Sequence, residues 1–292
     1  APGGALELVD DTCGVLAPPG DVDAVSDALG PLVADAPWRD RLGDPAAWPA
    51  YRGLFREWIE HEGEHAVLAQ VLPLLMPGVG AAAFHGLLRL SYGLAVQHSG
   101  EVADGLAYWA CRWFDCGAAA VGAEAHDPAE LVMGLHISTA PRGLIAERMD
   151  LVARTPAFRA AMKRWTVNAK DTLPALARLA AEHYAASGSF TLLHVHTSAQ
   201  AMHTLLPWLE EEDRDQAVAC YAASGAAAWI SATQRVLPSA PTLTWVEVIA
   251  RALDSSARPD EAHVIKCVDA AREMNRGDPH PRWLAAAART VA

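Results

Sequence analysis

Three histidines stand in apolar surroundings where an imidazole could serve as a metal ligand. His85 lies in AAAFHGLLRLSYGLAV, His194 in SFTLLHVHTSAQAMHTLLPWL, and His263 in EAHVIK. A single buried histidine is usually a satisfied core residue. Three on different predicted helices favour a shared site, because helical domains build metal sites from ligands that several helices project inward. Neutral imidazoles suit iron, copper or zinc.

Lys266 follows His263 by three residues, a spacing that makes the two side chains neighbours on a helix. An ammonium group cannot bind a cation, but burial in an apolar pocket lowers the pKa of a lysine. A neutral amine can add CO₂ and become a carbamate, which is an anionic oxygen donor. The alternative is a solvated lysine at the border of the apolar face, beside Asp269 and Glu273. Both interpretations stay open here.

Two further sets of histidines have helical spacing. His196, Gln200 and His203 share one helix face, so we expect His196 and His203 to lie around the site or to contact the substrate. His61 and His65 also have a spacing that can hold a metal. Their neighbours are acidic, which predicts an exposed helix end instead.

The rest of the chain predicts an all-α fold: a single large multi-helix domain with the metal site in its helical core. Apolar residues recur at three- and four-residue spacing, and proline and glycine fall mainly between the blocks. The predicted helical blocks are 47–75, 81–97, 101–120, 142–152, 156–186, 190–206, 213–236, 243–255 and 260–275. We find no convincing alternating strand and no repeat of fixed period.

Composition narrows the possible partners. The chain has 292 residues, is 52% hydrophobic and 20% charged, and carries a formal net charge of −12. Such a chain can bury a substantial core, and its negative charge argues against nucleic acid and anionic membranes as partners. The sequence contains no run of 18 or more apolar residues, so we predict no membrane span. Nothing in the sequence indicates an oligomeric state.

Cysteine usage and the first residues predict a cytoplasmic protein. There are five cysteines and no CxxC pair, which is typical of reduced thiols rather than a disulfide framework. The opening APGGALELVDD has no basic segment followed by an apolar one, so we expect no signal peptide.

Residues 1–36 resemble a fragment of the nucleotide-sugar site of GT-B glycosyltransferases. The matching positions are Gly3-Gly4, Glu7, Gly14 and Pro18-Pro19-Gly20-Asp21. The resemblance implies that Glu7 would contact a ribose. No βαβ unit precedes the stretch in this sequence, so we expect it to form no crevice for a nucleotide. We therefore expect residues 1–40 to be an N-terminal extension and residues 41–292 to form the all-α domain.

A second resemblance covers most of the chain. FHGLLRLSYGLAV, GLAYWA, FTLLHVHTSAQAMHTLLPWL and EAHVIK follow one another in an order that resembles the questin oxidase-like family, from about Trp38 to about residue 275. The resemblance implies a helical oxygenase that acts on anthraquinones and related aromatic polyketides of secondary metabolism. It further implies a mononuclear non-haem iron site. Its ligands in this chain would be His85, His194 and His263, with Lys266 as a carboxylated lysine.

The same resemblance implies the reaction and the co-substrates. The enzyme would use Fe(2+), with Zn(2+) as the alternative metal, and O2 in oxidative C–C cleavage or a Baeyer–Villiger-type oxidation. Some relatives use NADPH as reductant, but the chain has no GxGxxG motif, so we predict no cofactor-binding residues. A small aromatic substrate would lie near Tyr92 and Trp109. Arg89 stands where fungal members often have a second histidine.

One departure from the family pattern leaves the function open. Members usually carry a further histidine motif before the region of Trp38, whereas this chain has no histidine before His61. A missing ligand could open a coordination position, change the metal or leave a dead site. The alternatives are therefore a catalytically degenerate helical protein that binds a hydrophobic small molecule or partner, and a zinc hydrolase.

Overall fold

The computed structural model describes residues 38–137, 143–233, 235–254 and 261–292. These residues form thirteen α-helices and one pair of very short strands. The helices are α1 Trp48–Glu62, α2 Glu64–Leu75, α3 Ala81–Ala95, α4 Ser99–Arg112, α5 Pro128–Gly134, α6 Ile145–Ala153, α7 Pro156–Met162, α8 Ala169–Ser187, α9 Phe190–Leu205, α10 Glu211–Ser231, α11 Trp245–Asp254, α12 Glu261–Gly277 and α13 Pro281–Thr290. The strands β1 Ala120–Val121 and β2 Thr166–Val167 pair in parallel. The predicted all-α fold is confirmed.

Several predicted helix boundaries were wrong. The block 47–75 is divided at Gly63, whose φ of 84° ends α1. The block 101–120 ends at Arg112, and the block 156–186 is interrupted by β2. The sequence analysis missed the helices α5 and α13. Each begins with a proline in its first turn, where the missing N–H carries no penalty.

Helix α9 is the central element of the fold. It packs against α3, α8, α10 and α12, and twelve of its sixteen residues are buried. A helix that is enclosed in this way needs apolar or small residues on every side, which explains its weak amphipathic pattern. His194 is therefore carried into the interior by a helix that has neighbours on four sides.

Helices α3 and α4 approach each other closely because glycines line their contact. A Cβ atom at Gly86 would lie 2.6 Å from Cβ of Trp109, and one at Gly105 would lie 2.8 Å from Cα of Leu90. Neither position has room for a larger side chain. Gly86, the residue after His85, thus lets α4 approach α3 beside a candidate metal ligand.

Some sequence-based expectations fall outside the described residues. The glycosyltransferase-like stretch, residues 1–36, lies there, as does Cys13. The other four cysteines are buried and form no disulfide: Cys111, Cys116, Cys220 and Cys267. Among the helices described above, none has the length and apolar character that crossing a membrane requires.

Candidate metal centre

The structure brings the three histidines of the apolar helices together. One ring nitrogen each of His85, His194 and His263 lies within 4.8 Å of the other two. The ring centroids are 5.1 Å apart for His85 and His194, 5.2 Å for His194 and His263, and 6.1 Å for His85 and His263. We call these three residues the histidine cluster. They come from α3, α9 and α12.

His85 is positioned by a strained turn at the start of α3. Ala82, Ala83 and Phe84 have φ values of 48°, 57° and 67°, so regular right-handed helix begins only at His85. Left-handed backbone costs roughly 1–2 kcal/mol for each residue that has a Cβ atom. The turn brings the carbonyl of Ala82 to 2.5 Å from Nδ1 of His85. Strain of this kind persists where the surrounding structure imposes it, often at functional sites.

His194 is oriented by its own helix. Its Nδ1 lies 2.8 Å from the carbonyl oxygen of Phe190, one turn earlier in α9. Because a carbonyl only accepts, Nδ1 of both His85 and His194 carries the proton, which leaves the lone pair on Nε2. This is the arrangement in which a backbone carbonyl fixes the tautomer of a metal-ligating histidine.

Phe190 packs against two members of the histidine cluster. Its ring meets His194 edge-on at 4.7 Å and His263 at 4.8 Å between centroids, while half of the residue stays exposed. The ring thus holds the imidazoles of α9 and α12 in place from the solvent side. The sequence analysis did not single out Phe190. Its position four residues before His194 was the available signal.

Burial favours the neutral form of two imidazoles in the histidine cluster, those of His85 and His194. It lowers the pKa of His194 to about 4, and protonation of His85, His263 or Lys266 would act in the same direction. Burial is also the largest cause that lowers the pKa of His85. A metal ligand must be deprotonated, so at neutral pH both rings are in the form that binds a cation.

The cluster lies between two cavities. The first cavity, of about 570 Å³, is lined by His85, Lys266, Arg89 and Tyr92, among others. The second, of about 910 Å³, is lined by all three histidines together with Phe190. Tyr108, like His85, lines both. Cavities of a few hundred to a thousand cubic ångströms are typical of small-molecule sites.

Lys266 is half-buried on α12, and burial lowers its pKa. Its charge is close enough to lower the pKa of His85 and of His194. Among the described residues, no carboxylate lies within 4 Å of its amine. The side chain shares the first cavity with His85, whereas His263 lines the second.

Arg89 and Tyr92 line the first cavity. Arg89 forms ion pairs with Glu101 at 3.1 Å and with the buried Asp104 at 3.2 Å. Burial raises the pKa of Tyr92, so its hydroxyl stays protonated. Its oxygen is buried without a hydrogen-bond partner among the described residues.

Three other predicted site residues line neither cavity. His196 is fully buried and stacks on Trp283 with centroids 6.0 Å apart. His203 lies nine residues beyond His194, or about 13 Å along the helix axis. Trp109 is a core residue whose Nε1 donates to the carbonyl of Gly78 at 2.8 Å.

Comparison with known proteins identifies the family. The sequence model described as questin oxidase-like matches residues 20–271, which is most of the chain and includes the histidine cluster and Lys266. The chain belongs to the questin oxidase-like family. This is an oxidoreductase family, so the questin oxidase-like chain is an enzyme of the oxygenase class, and the family acts on aromatic polyketides. Among curated proteins, none matches the chain.

Proposed function

We propose that this questin oxidase-like enzyme is a metal-dependent oxygenase that uses non-haem iron(II) and O₂ to oxidise an anthraquinone-like aromatic polyketide. The observation that supports this most is the approach of three ligating nitrogens to within 4.8 Å of one another. Two histidines on one ion, each at about 2.0–2.1 Å, are at most about 4 Å apart. Small side-chain rotations therefore suffice for His85, His194 and His263 to share one ion.

The donor set suits iron, with zinc as the alternative. Imidazoles bind both metals well, but zinc has no redox chemistry, whereas the family consists of oxidoreductases. Bound iron(II) would supply the electrons by which O₂ is activated. The chain's own residues hold the tautomers of His85 and His194, cover one side of His194 and His263 with the ring of Phe190, and offer the second cavity to a flat ring system.

Lys266 is the proposed anionic ligand. Its neutral amine forms a bond from Nζ to the carbon of CO₂ and releases one proton to water, which gives a carbamate with two oxygen donors. The lowered pKa and the neighbourhood of His85 support this assignment. A carbamate would offset part of the metal charge that three neutral imidazoles leave uncompensated.

Two reaction types fit the proposal, and they differ in electron balance. Oxidative C–C cleavage that places both oxygen atoms in the product needs no external reductant. A Baeyer–Villiger-type insertion places one oxygen atom in the product and one in water, so it needs two electrons, for which NADPH is the proposed source. The four free cysteines support a cytoplasmic enzyme.

The test is metal content and oxygen consumption. Protein purified without O₂ and loaded with iron(II) should bind about one iron per chain and consume O₂ with members of an anthraquinone panel. His194→Ala should lose most of the iron, while His203→Ala on the same helix should retain it. Dependence on NADPH and the fate of labelled O₂ separate the two reaction types.

Three results would contradict the proposal in different ways. Hydrolysis by the zinc form without O₂ would favour the zinc hydrolase. Binding of aromatic compounds without any metal would favour the degenerate binding protein. Equal iron content in the His194→Ala and His203→Ala proteins would refute the assigned ligands.

A further inference from the structure

The second cavity carries positive charge that no part of the proposed metal centre uses. Arg148 on α6 and Arg112 at the end of α4 both line it, together with the histidine cluster. Among the described residues, no carboxylate lies within 4 Å of either guanidinium group. The chain has 35 acidic and 23 basic residues, so two unpaired arginines in one cavity are unexpected.

The guanidinium of Arg148 is held in place by one hydrogen bond, but one of its other donors has no hydrogen-bond partner in the described part of the chain. Its Nη2 donates to Oγ1 of Thr191 at 3.0 Å, which ties the guanidinium to the first turn of α9. Its Nε is buried and has no hydrogen-bond partner among the described residues. Leaving a charged donor buried and unpaired is unfavourable, so a ligand that accepts this hydrogen bond would stabilise the site.

Among the described residues, Glu147 is the one carboxylate that lines the second cavity, and it forms no ion pair with Arg148. Its Oε2 accepts the backbone N–H of Leu144 at 2.9 Å and thereby caps α6, so two guanidinium groups share the cavity with one carboxylate. The first residues of α9 face the cavity as well, and the N-cap residue Ser189 makes no side-chain cap hydrogen bond. The partial positive charge of that helix end adds to the charge of Arg148.

We infer that Arg148 and Thr191 form an anion subsite, and that the substrate is an aromatic compound with a negatively charged oxygen, either a carboxylate or an ionised phenol. The inference rests on the proposed function, because it names the substrate class of the same site. The planar guanidinium suits an oxygen anion, which it can meet with two parallel hydrogen bonds. Anchored there, the aromatic ring would extend toward Phe190 and the histidine cluster, all of which line the same cavity.

The test compares two probes that differ in charge. An anthraquinone carboxylate and the carboxamide with the same ring position are titrated into the full chain as purified, at about pH 8, where imidazoles are neutral. We expect the carboxylate to bind more tightly by on the order of tenfold. The net charge of −12 would by itself favour the carboxamide, so a preference for the carboxylate reports local cations.

Variants assign the preference to Arg148. Arg148→Gln should abolish it, and Thr191→Val should reduce it because the guanidinium loses its anchor. Arg154→Gln is the matched control, since Arg154 belongs to the same part of the chain but is exposed and paired with Asp150 at 2.7 Å. Thermal unfolding of each variant checks the fold, and Thr191→Val decides the question if Arg148→Gln does not fold.

Two results would overturn the inference: equal affinity of the native chain for both probes, or a preference that survives in folded Arg148→Gln. A preference that survives in Arg148→Gln would mean that the carboxylate of the probe binds a metal ion or another group. Because binding is measured without turnover, a chain that binds no iron can still show the preference. If the chain binds iron and consumes O₂ but does not prefer the carboxylate probe, the anion subsite is refuted and the proposed function stands.

Discussion

His85 and His194 meet nearly edge to face, with ring centroids 5.1 Å apart, and each uses Nδ1 to bond a carbonyl three or four residues before it. Both rings are therefore oriented from within their own helix rather than by a partner elsewhere. Docking α3 against α9 brings together two imidazoles whose tautomers are already set. Because Nδ1 carries the proton, the free lone pair of each ring is on Nε2.

Lys266→Arg should lose metal as severely as Lys266→Ala. A guanidinium stays protonated and cannot be carboxylated, although its size and charge resemble those of lysine. Added bicarbonate together with a short carboxylic acid should partly restore iron to the alanine protein and not to the arginine protein. Lys170→Arg, an exposed lysine at the start of α8, is the control. Elemental analysis measures the effect, and normal iron in Lys266→Arg would exclude the carbamate.

Ala82→Gly should stabilise the protein or leave its stability unchanged. Glycine adopts the φ of 48° at that position without strain, which offsets the loss of backbone entropy. Ala285→Gly in α13 is the matched control, because Ala285 is also half-buried but lies in regular helix. That change should cost about 1 kcal/mol of unfolding free energy. Urea denaturation compares the two. Equal losses would mean that the left-handed turn stores no strain.

Gly86→Ala and Gly53→Ala should have opposite effects on stability. The new methyl group at Gly86 would meet the backbone and Cβ of Trp109 below 3 Å, which forces α3 and α4 apart and should cost about 1–3 kcal/mol. Gly53 lies on the exposed side of α1 with nothing near its Cβ position, so alanine there should add up to about 1 kcal/mol. Thermal unfolding of both variants measures whether each change in stability is positive or negative. A stabilised Gly86→Ala protein would show that the helices can separate freely.

Stability should fall as the pH drops below about 6.5, and His203 should contribute to this fall. Burial lowers its pKa in the folded chain, so below the unfolded value the unfolded chain binds a proton that the folded chain does not. The contribution is absent above the unfolded pKa and grows as the pH decreases. Urea midpoints between about pH 7 and pH 5 should vary less in His203→Gln than in the native chain. Parallel curves would contradict the expected role of His203.

The approach of the three histidines was predictable, because each lies in an apolar helical pattern. A polar ring that is buried on such a face needs a partner that compensates for its loss of solvation. The arrangement around Lys266 was not. A helical wheel placed it at the border of the apolar face, and only the docking of α12 decides which cavity it reaches. Tyr108 and Arg148 were missed for the same reason, since each becomes notable only through neighbours far away in sequence.

Local errors in the predicted helices have physical causes. The block 101–120 was predicted to stay helical after Arg112, but Trp113 has an extended ψ of 137°, and its ring and carbonyl oxygen lie against Gly78 and Gly43. Tertiary contact thus ends a helix that propensity would continue. The left-handed turn at Ala82 and Ala83 has no sequence signal at all, because alanine is the strongest helix former. Such a turn is fixed by what surrounds it.

The wide spacing of the histidine cluster along the chain has a consequence for maturation. His85, His194 and His263 meet only after long chain loops have closed and α9 has been enclosed by its neighbours. A nascent or partly folded chain therefore offers no preformed metal site, and loading should follow folding. Once bound, an ion would tie three helices together, so binding would oppose the opening of the helical core, and opening of the core would promote release of the ion.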